Sequence, residues 1–279
     1  MTLYDREFYA QELQGSLDSA RAIVPCILKY IQPRSVVDIG CGVATWLSVF
    51  KEHGVGEILG VDGGYVDRTL LLIPESEFLA HDLTRPLRMA RTFDLAVSLE
   101  VAEHLPAESA GMLVQTLTQL APVVLFSAAI PLQGGLHHVN EQWPVYWADR
   151  FAERGFQVVD CLRRDIWNLP GIKPHYAQNA FFYVNADRLS DFPALQVGAD
   201  GSGELPLPLV HPGIFEYRVR TLTAQKELRP GNFALSAILA SLPALAAYEA
   251  RVLAKRVLGR VLPGLLEAVR TSKRDRTAR

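Results

Sequence analysis

The chain has 279 residues, 49% of them apolar, and a formal net charge of −2. That is enough to bury a full core, and the near-balanced charge excludes a global basic field of the kind that gathers long nucleic acid. Cys26, Cys41 and Cys161 are too few and too scattered for a disulfide framework or a zinc site, so Cys26 and Cys161 read as core thiols. The first residues lack a basic, apolar leader, and Arg251, Lys255 and Arg256 interrupt the most apolar part of the C-terminal region, so the expectation is a cytoplasmic protein.

From Asp5 to Ile31 apolar residues recur at three- and four-residue steps, which predicts one or two amphipathic helices with a break near Gly15. Pro33 ends that pattern, and Ser35 to Ile39 reads as a short buried strand. Strand and helix patterns then alternate: a helix over Thr45–His53 and strands at Glu57–Val61, Glu77–Ala80 and Phe93–Ser98. A helix at Glu108–Leu120, a strand at Val123–Ser127, a helix at Trp143–Arg154, and strands at Phe156–Leu162 and Ala180–Val184 follow. Seven strands interleaved with helices predict an α/β fold with a mostly parallel sheet covered on both faces. The expected organisation is an N-terminal helical cover over 1–34, a core domain over 35–190, a Gly/Pro-rich loop or linker over 191–231, and a helical tail over 232–279.

The segment Val37-Asp38-Ile39-Gly40-Cys41-Gly42-Val43-Ala44-Thr45 runs from a strand through a glycine turn into a helix. Glycines there let a ligand approach the backbone closely. The dinucleotide fingerprint's third glycine is missing, and Asp38 precedes the first one, which suits a cationic amino-acid end and repels a pyrophosphate. S-adenosylmethionine has that ammonium group and no phosphate. Asp62 ends the second strand about twenty residues on, where a carboxylate can accept hydrogen bonds from both ribose hydroxyls. Asp82 and Leu83 follow the third strand, where an adenine edge and face would lie.

These motifs, with Phe93-Asp-Leu-Ala-Val-Ser-Leu-Glu-Val-Ala-Glu-His104, resemble those of class I S-adenosylmethionine-dependent methyltransferases over roughly Ser35 to Val184. The resemblance implies a Rossmann-like seven-stranded sheet of order 3-2-1-4-5-7-6 with its last strand antiparallel. It also implies a cofactor site of Asp38, Gly40, Cys41, Gly42, Asp62, Gly63, Asp82, Leu83 and Leu99. Ala44 stands where many members have a further glycine, which puts the local turn geometry in question.

Methyl transfer to a hydroxyl needs alignment of the acceptor and removal of a proton. Glu100, Glu103 and His104 are spaced so that one helical turn would set them on one face, a donor set suited to Mg²⁺, Mn²⁺ or a transition metal. The Glu-x-x-Glu-His pattern with a distant histidine is similar to the metal set of small-RNA terminal 2′-O-methyltransferases. That likeness implies Glu100, Glu103, His104 and His138 as ligands, with His137 as the alternative fourth. The same short motif occurs in metal-free relatives, and there His104 or His138 would act as general base.

The overall layout, including Asn140–Pro144, Val210–Pro212 and the basic Leu-rich tail, is similar to bacterial methyltransferases of polysaccharide or secondary-metabolite assembly. It implies O-methylation of a sugar or other small-molecule acceptor, with nucleic acid disfavoured as a partner. The alternatives are a ribose at an RNA terminus and a catalytically silent regulatory subunit. Trp143, Tyr146 and Trp147 are expected to pack a helix on the sheet, and Tyr4, Phe8 and Tyr9 to form a staple or a lid. The run Leu253–Leu262 reads as a basic amphipathic helix suited to a second subunit or a membrane surface.

Overall fold

A computed structural model describes residues 6–199 and 208–227, with side chains over 13–196 and 208–223. In chain order its elements are α1 (Arg6–Tyr30), β1 (Ser35–Ile39), α2 (Thr45–Glu52), β2 (Glu57–Asp62), β3 (Phe78–Ala80) and β4 (Leu95–Leu99). They continue with α3 (Ala110–Leu120), β5 (Val123–Ser127), α4 (Pro144–Ala152), β6 (Phe156–Val159), α5 (Leu162–Ile166), α6 (Pro174–Asn179), β7 (Phe181–Asn185), α7 (Pro193–Ala199) and α8 (Pro212–Glu227). The chain divides into two compact units, residues 1–218 and 219–279, of which the second is described only over the end of α8.

The seven strands form one sheet in the order β3-β2-β1-β4-β5-β7-β6. All pairings are parallel except those of β7, which runs antiparallel to β5 and β6. Alternation along each strand sorts its side chains between two cores, because successive Cβ atoms point to opposite faces. Val123 and Leu125, Phe182 and Val184 join Ile23, Ile27, Leu47 and Phe50 on one face. Val124 and Phe126, Phe181 and Tyr183 meet Leu113, Leu117, Trp147 and Phe151 on the other. Trp147 and Phe151 are fully buried, and Phe151 stacks on Tyr183 with centroids 3.8 Å apart. Truncating such an aromatic to alanine costs about 3–5 kcal/mol. Tyr146 packs in part against this layer, while Trp143 is 39% exposed.

The expected elements differ from the observed ones at several points, one being the unexpected helix α6. No break occurs at Gly15: α1 is one helix, buried through Ala20, Ile23, Val24 and Ile27, and its carbonyl at Gly15 accepts from Ser19 Oγ at 2.7 Å. β4 starts at Leu95 rather than Phe93, because the Asp94 carboxylate accepts from the Arg34 and Ser35 amides, at 2.7 and 3.1 Å, and so ties two segments together. β6 stops at Val159, where Asp160 pairs with Arg163 and α5 begins. Within the expected loop 191–231, residues 193–199 and 212–227 are helical, each helix opened by a proline at its first position. No described helix is long and apolar enough to cross a membrane. The side chains of Tyr4, Phe8 and Tyr9, and the whole tail 232–279, lie outside the described residues.

Candidate functional site

The parallel register brings the carboxyl ends of β1, β2, β4 and β5 to one edge, pairing Asp38 with Gly60, Asp62 with Ala80 and Leu99 with Ser127. Ligands of open α/β sheets bind in the crevice outside such an edge. Gly40 leaves β1 with φ 86°, and a Cβ there would fall 2.4 Å from a Val101 methyl, so only glycine allows both the turn and the packing of β4's extension on it. Ala44, in question from the sequence, adopts the left-handed conformation at φ 65° as the N-cap of α2. Its amide donates to the Cys41 carbonyl at 2.8 Å, which holds the loop closed.

Asp62 sits at the centre of this loop, 5% exposed. One oxygen accepts from the Gly42 amide at 2.7 Å; the other accepts from the Gly63 amide and the Tyr65 hydroxyl, both at 2.6 Å. The Tyr65 ring lies directly over Gly63, and its hydroxyl is a donor to Asp62, the role a ribose hydroxyl would take there. Asp38 is buried beside it; desolvation first, and the Asp62 charge second, push its carboxyl up to about 8. A cation delivered to this pocket would favour the ionised form of Asp38, which burial and Asp62 otherwise oppose. The Cys41 thiol is buried where it fills the space beside Gly60, and burial pushes its pKa up, so it is a packing group. Leu99 is half-buried against the core.

Asp82 stands outside this cluster. Its carboxylate is exposed and closes a local turn by accepting from the Thr84 amide and hydroxyl, at 2.9 and 2.6 Å, and those bonds lower its pKa. Leu83 packs in part against the sheet's second core.

Beyond β4 the chain does not enter the α-helical turn that the spacing of Glu100, Glu103 and His104 suggested. Glu100 has φ 56°, with its amide held by the Ser127 carbonyl and hydroxyl at 3.1 and 3.0 Å, and a short 3-10 turn follows over Ala102–His104. Ligand atoms of Glu103, His104 and His138 lie within 4.8 Å of one another, a grouping that leaves Glu100 and His137 out. Glu100 accepts instead from Gln133 at 3.0 Å and Asn179 at 3.1 Å.

Glu103 is fully buried, and neither carboxylate oxygen has a hydrogen-bond partner. Burial first, and Glu100 second, lift its carboxyl well above the usual range. Desolvation and the neighbouring His138 lower the pKa of His104, whose ring meets that of His138 edge-on at 4.9 Å. His138 Nδ1 is 2.9 Å from Glu141 Oε1, and Glu141 also accepts from the Leu132 and Gly134 amides at 2.7 Å each. A carboxylate behind a histidine is the usual support of a metal-bound imidazole. Two orphaned buried carboxylate oxygens beside two imidazoles fit a divalent cation held by Glu103, His104 and His138.

The sequence reading missed a buried amide network beside this group. Gln133 Oε1 accepts from Gln178 and Asn179, at 3.1 and 2.9 Å, and Gln178 Oε1 accepts from the His211 amide at 2.7 Å. Gln178 and Asn179 are 1% and 2% exposed. The one signal for them was a polar pair immediately before a strongly apolar strand.

A family model described as a methyltransferase domain matches residues 9–161, more than half of the chain. No curated protein matches the sequence. Among solved structures, the sugar N-methyltransferase KedS8 from a Streptoalloteichus species is 13% identical, with 66% of this chain and 96% of that one covered at a TM-score of 0.50. Streptomyces venezuelae DesVI is 14% identical over 64% and 96%, at 0.48. Magnesium protoporphyrin IX methyltransferase from Synechocystis, solved with S-adenosylhomocysteine, is 16% identical over 66% and 90%, at 0.45. At these identities the likeness is one of fold. The family match, carried by a domain whose glycine loop, acidic strand end and strand order are those described above, places the chain among the class I S-adenosylmethionine-dependent methyltransferases.

Proposed function

We propose that the protein transfers the methyl group of S-adenosylmethionine to a hydroxyl of a sugar or related small molecule, with a divalent cation held by Glu103, His104 and His138. The carrying observation is the pair of unpartnered Glu103 oxygens facing two imidazoles at the edge of the cofactor crevice. Burying a carboxylate without a hydrogen-bond partner is costly, which supports a working site over a silent subunit.

Asp62 would hold the ribose hydroxyls, and Asp38 the ammonium of the methionine end; the cofactor would supply the transferable methyl as a sulfonium. When bound, the cation would lower the pKa of an acceptor hydroxyl at its position. Glu141 fixes the His138 ring through Nδ1, and the loop over Pro131–Trp143 would cover the acceptor. As the C–S bond breaks, the cofactor leaves as a neutral thioether, so one proton must depart from the acceptor. The sugar class draws support from the overall layout of the sequence, and KedS8, on the same fold, is a sugar methyltransferase that acts on nitrogen.

Turnover with purified protein tests the reading: radiolabelled S-adenosylmethionine, a panel of sugars and small hydroxylated acceptors, and an RNA 3′ end as a separate arm. The expected result is label transfer to a sugar hydroxyl, abolished by chelation and restored by Mg²⁺ or Mn²⁺. Transfer unaffected by chelation would remove the cation and assign the proton to His104, whose lowered pKa keeps it neutral at pH 7. Transfer to RNA alone, or to no acceptor, would contradict the sugar assignment.

A further inference from the structure

Two consecutive glycines in the loop after β5 carry different side chains against their backbones. A Cβ at Gly135 would fall 2.1 Å from His138 Nε2. A Cβ at Gly134 would fall 2.6 Å from Nη1 of Arg218 and 3.1 Å from its Cζ. The guanidinium of α8 and the imidazole of the candidate cation site therefore rest side by side on one short turn. Gly134 itself has φ 71°.

Arg218 is half-buried. Among the described residues it has no carboxylate within ion-pair reach and no hydrogen bond. The carboxylate bonded to Gly134, that of Glu141, is already engaged by the Leu132 and Gly134 amides and by His138. A guanidinium has five N–H donors in a rigid fork, and partial burial without an acceptor costs it hydration that nothing repays. The fork matches phosphate and carboxylate oxygens two at a time.

We propose that Arg218 is a specificity-determining residue that binds an anionic group, a phosphate or a carboxylate, on the methyl acceptor. The inference rests on the methyltransferase reading and deepens it: the acceptor is a phosphorylated sugar, a nucleotide-linked sugar or a sugar acid. The anion would sit at Arg218, next to the imidazole of His138 on the Gly134–Gly135 turn, so the methylated hydroxyl and the charge are recognised at neighbouring points of that turn.

The test is calorimetry on the full chain saturated with S-adenosylhomocysteine, titrated with inorganic phosphate, UDP and glucuronate at fixed ionic strength. The expected result is binding of at least one of them, weakened about 10- to 100-fold by Arg218→Ala and Arg218→Gln, and less by Arg218→Lys, which keeps the charge and loses the fork. Preference for phosphate or UDP assigns a phosphoryl group, and preference for glucuronate a carboxylate. Unchanged anion affinity in Arg218→Ala and Arg218→Gln, with S-adenosylhomocysteine still bound, would overturn the proposal, as would a wild-type protein that binds the cofactor product and none of the three anions. A wild-type protein that binds no S-adenosylhomocysteine would instead fault the methyltransferase reading beneath it.

Discussion

Replacing Glu103 with glutamine should stabilise the cation-free protein while destroying its response to divalent metal. Both Glu103 oxygens are buried without a partner, and the carboxyl is held well above its ordinary 4.5 by burial and by Glu100. A group whose folded pKa is raised contributes its full stability below the unfolded value and loses it as pH rises through the folded one. Native stability therefore falls on the alkaline side, and Glu103→Gln, which carries no charge, escapes that fall. Relieving a buried unsatisfied charged group is worth about 1–3 kcal/mol, a rise in Tm of roughly 2–12 °C for a domain of this size. Differential scanning calorimetry at pH 8 and pH 5, with chelator and then with Mn²⁺, reads the effect. The expected pattern is a higher Tm for the variant at pH 8, little difference at pH 5, and stabilisation by Mn²⁺ in the native protein alone. A variant less stable at both pH values, or stabilised by Mn²⁺ as the native protein is, would refute the reasoning. Such an exchange of stability for function is common at working sites.

Asp38 couples cofactor binding to pH. Its carboxyl rises from 3.8 to about 8, so its contribution to cofactor-free stability is complete below pH 3.8 and is lost as pH climbs to about 8. A ligand ammonium favours the ionised form, so S-adenosylhomocysteine should bind with proton release and gain up to about tenfold in affinity per pH unit between pH 6 and 8. Calorimetry in buffers of different ionisation enthalpy counts that proton; no release would place the ammonium elsewhere. Tyr65→Phe removes the hydroxyl that competes for Asp62, and should tighten S-adenosylhomocysteine about fivefold, the worth of about 1 kcal/mol. Weaker binding in that variant would show that the phenol hydroxyl assists the ligand.

The sheet and the cofactor loop were legible because their signals are local. Buried parallel strands read as short apolar runs, and the glycine turn with Asp38 and Asp62 lies within one strand-helix-strand unit. Glu100 misled because spacing assumes helical backbone, and its φ of 56° turns the side chain toward Gln133 and Asn179. Those amides, with Gln178, meet it from 33 to 79 residues away, a distance no periodicity spans. Asp82, expected as an adenine contact from its place after β3, also accepts from Thr84 in a turn of the kind aspartate readily forms, which its position alone did not announce. Arg218 gave no signal, since its meaning comes from the glycine it covers in the folded chain.

Every role assigned above depends on the crevice at Asp62 binding the methyl donor. Calorimetric titration of S-adenosylhomocysteine into the native protein and Asp62→Ala tests this directly. Micromolar binding is expected in the native protein, with a loss of about 10- to 100-fold in the variant, since charge-assisted hydrogen bonds to the ribose and the anchoring of the Gly42 amide go together. Equal affinity in both proteins, or no binding to the native one, would contradict it.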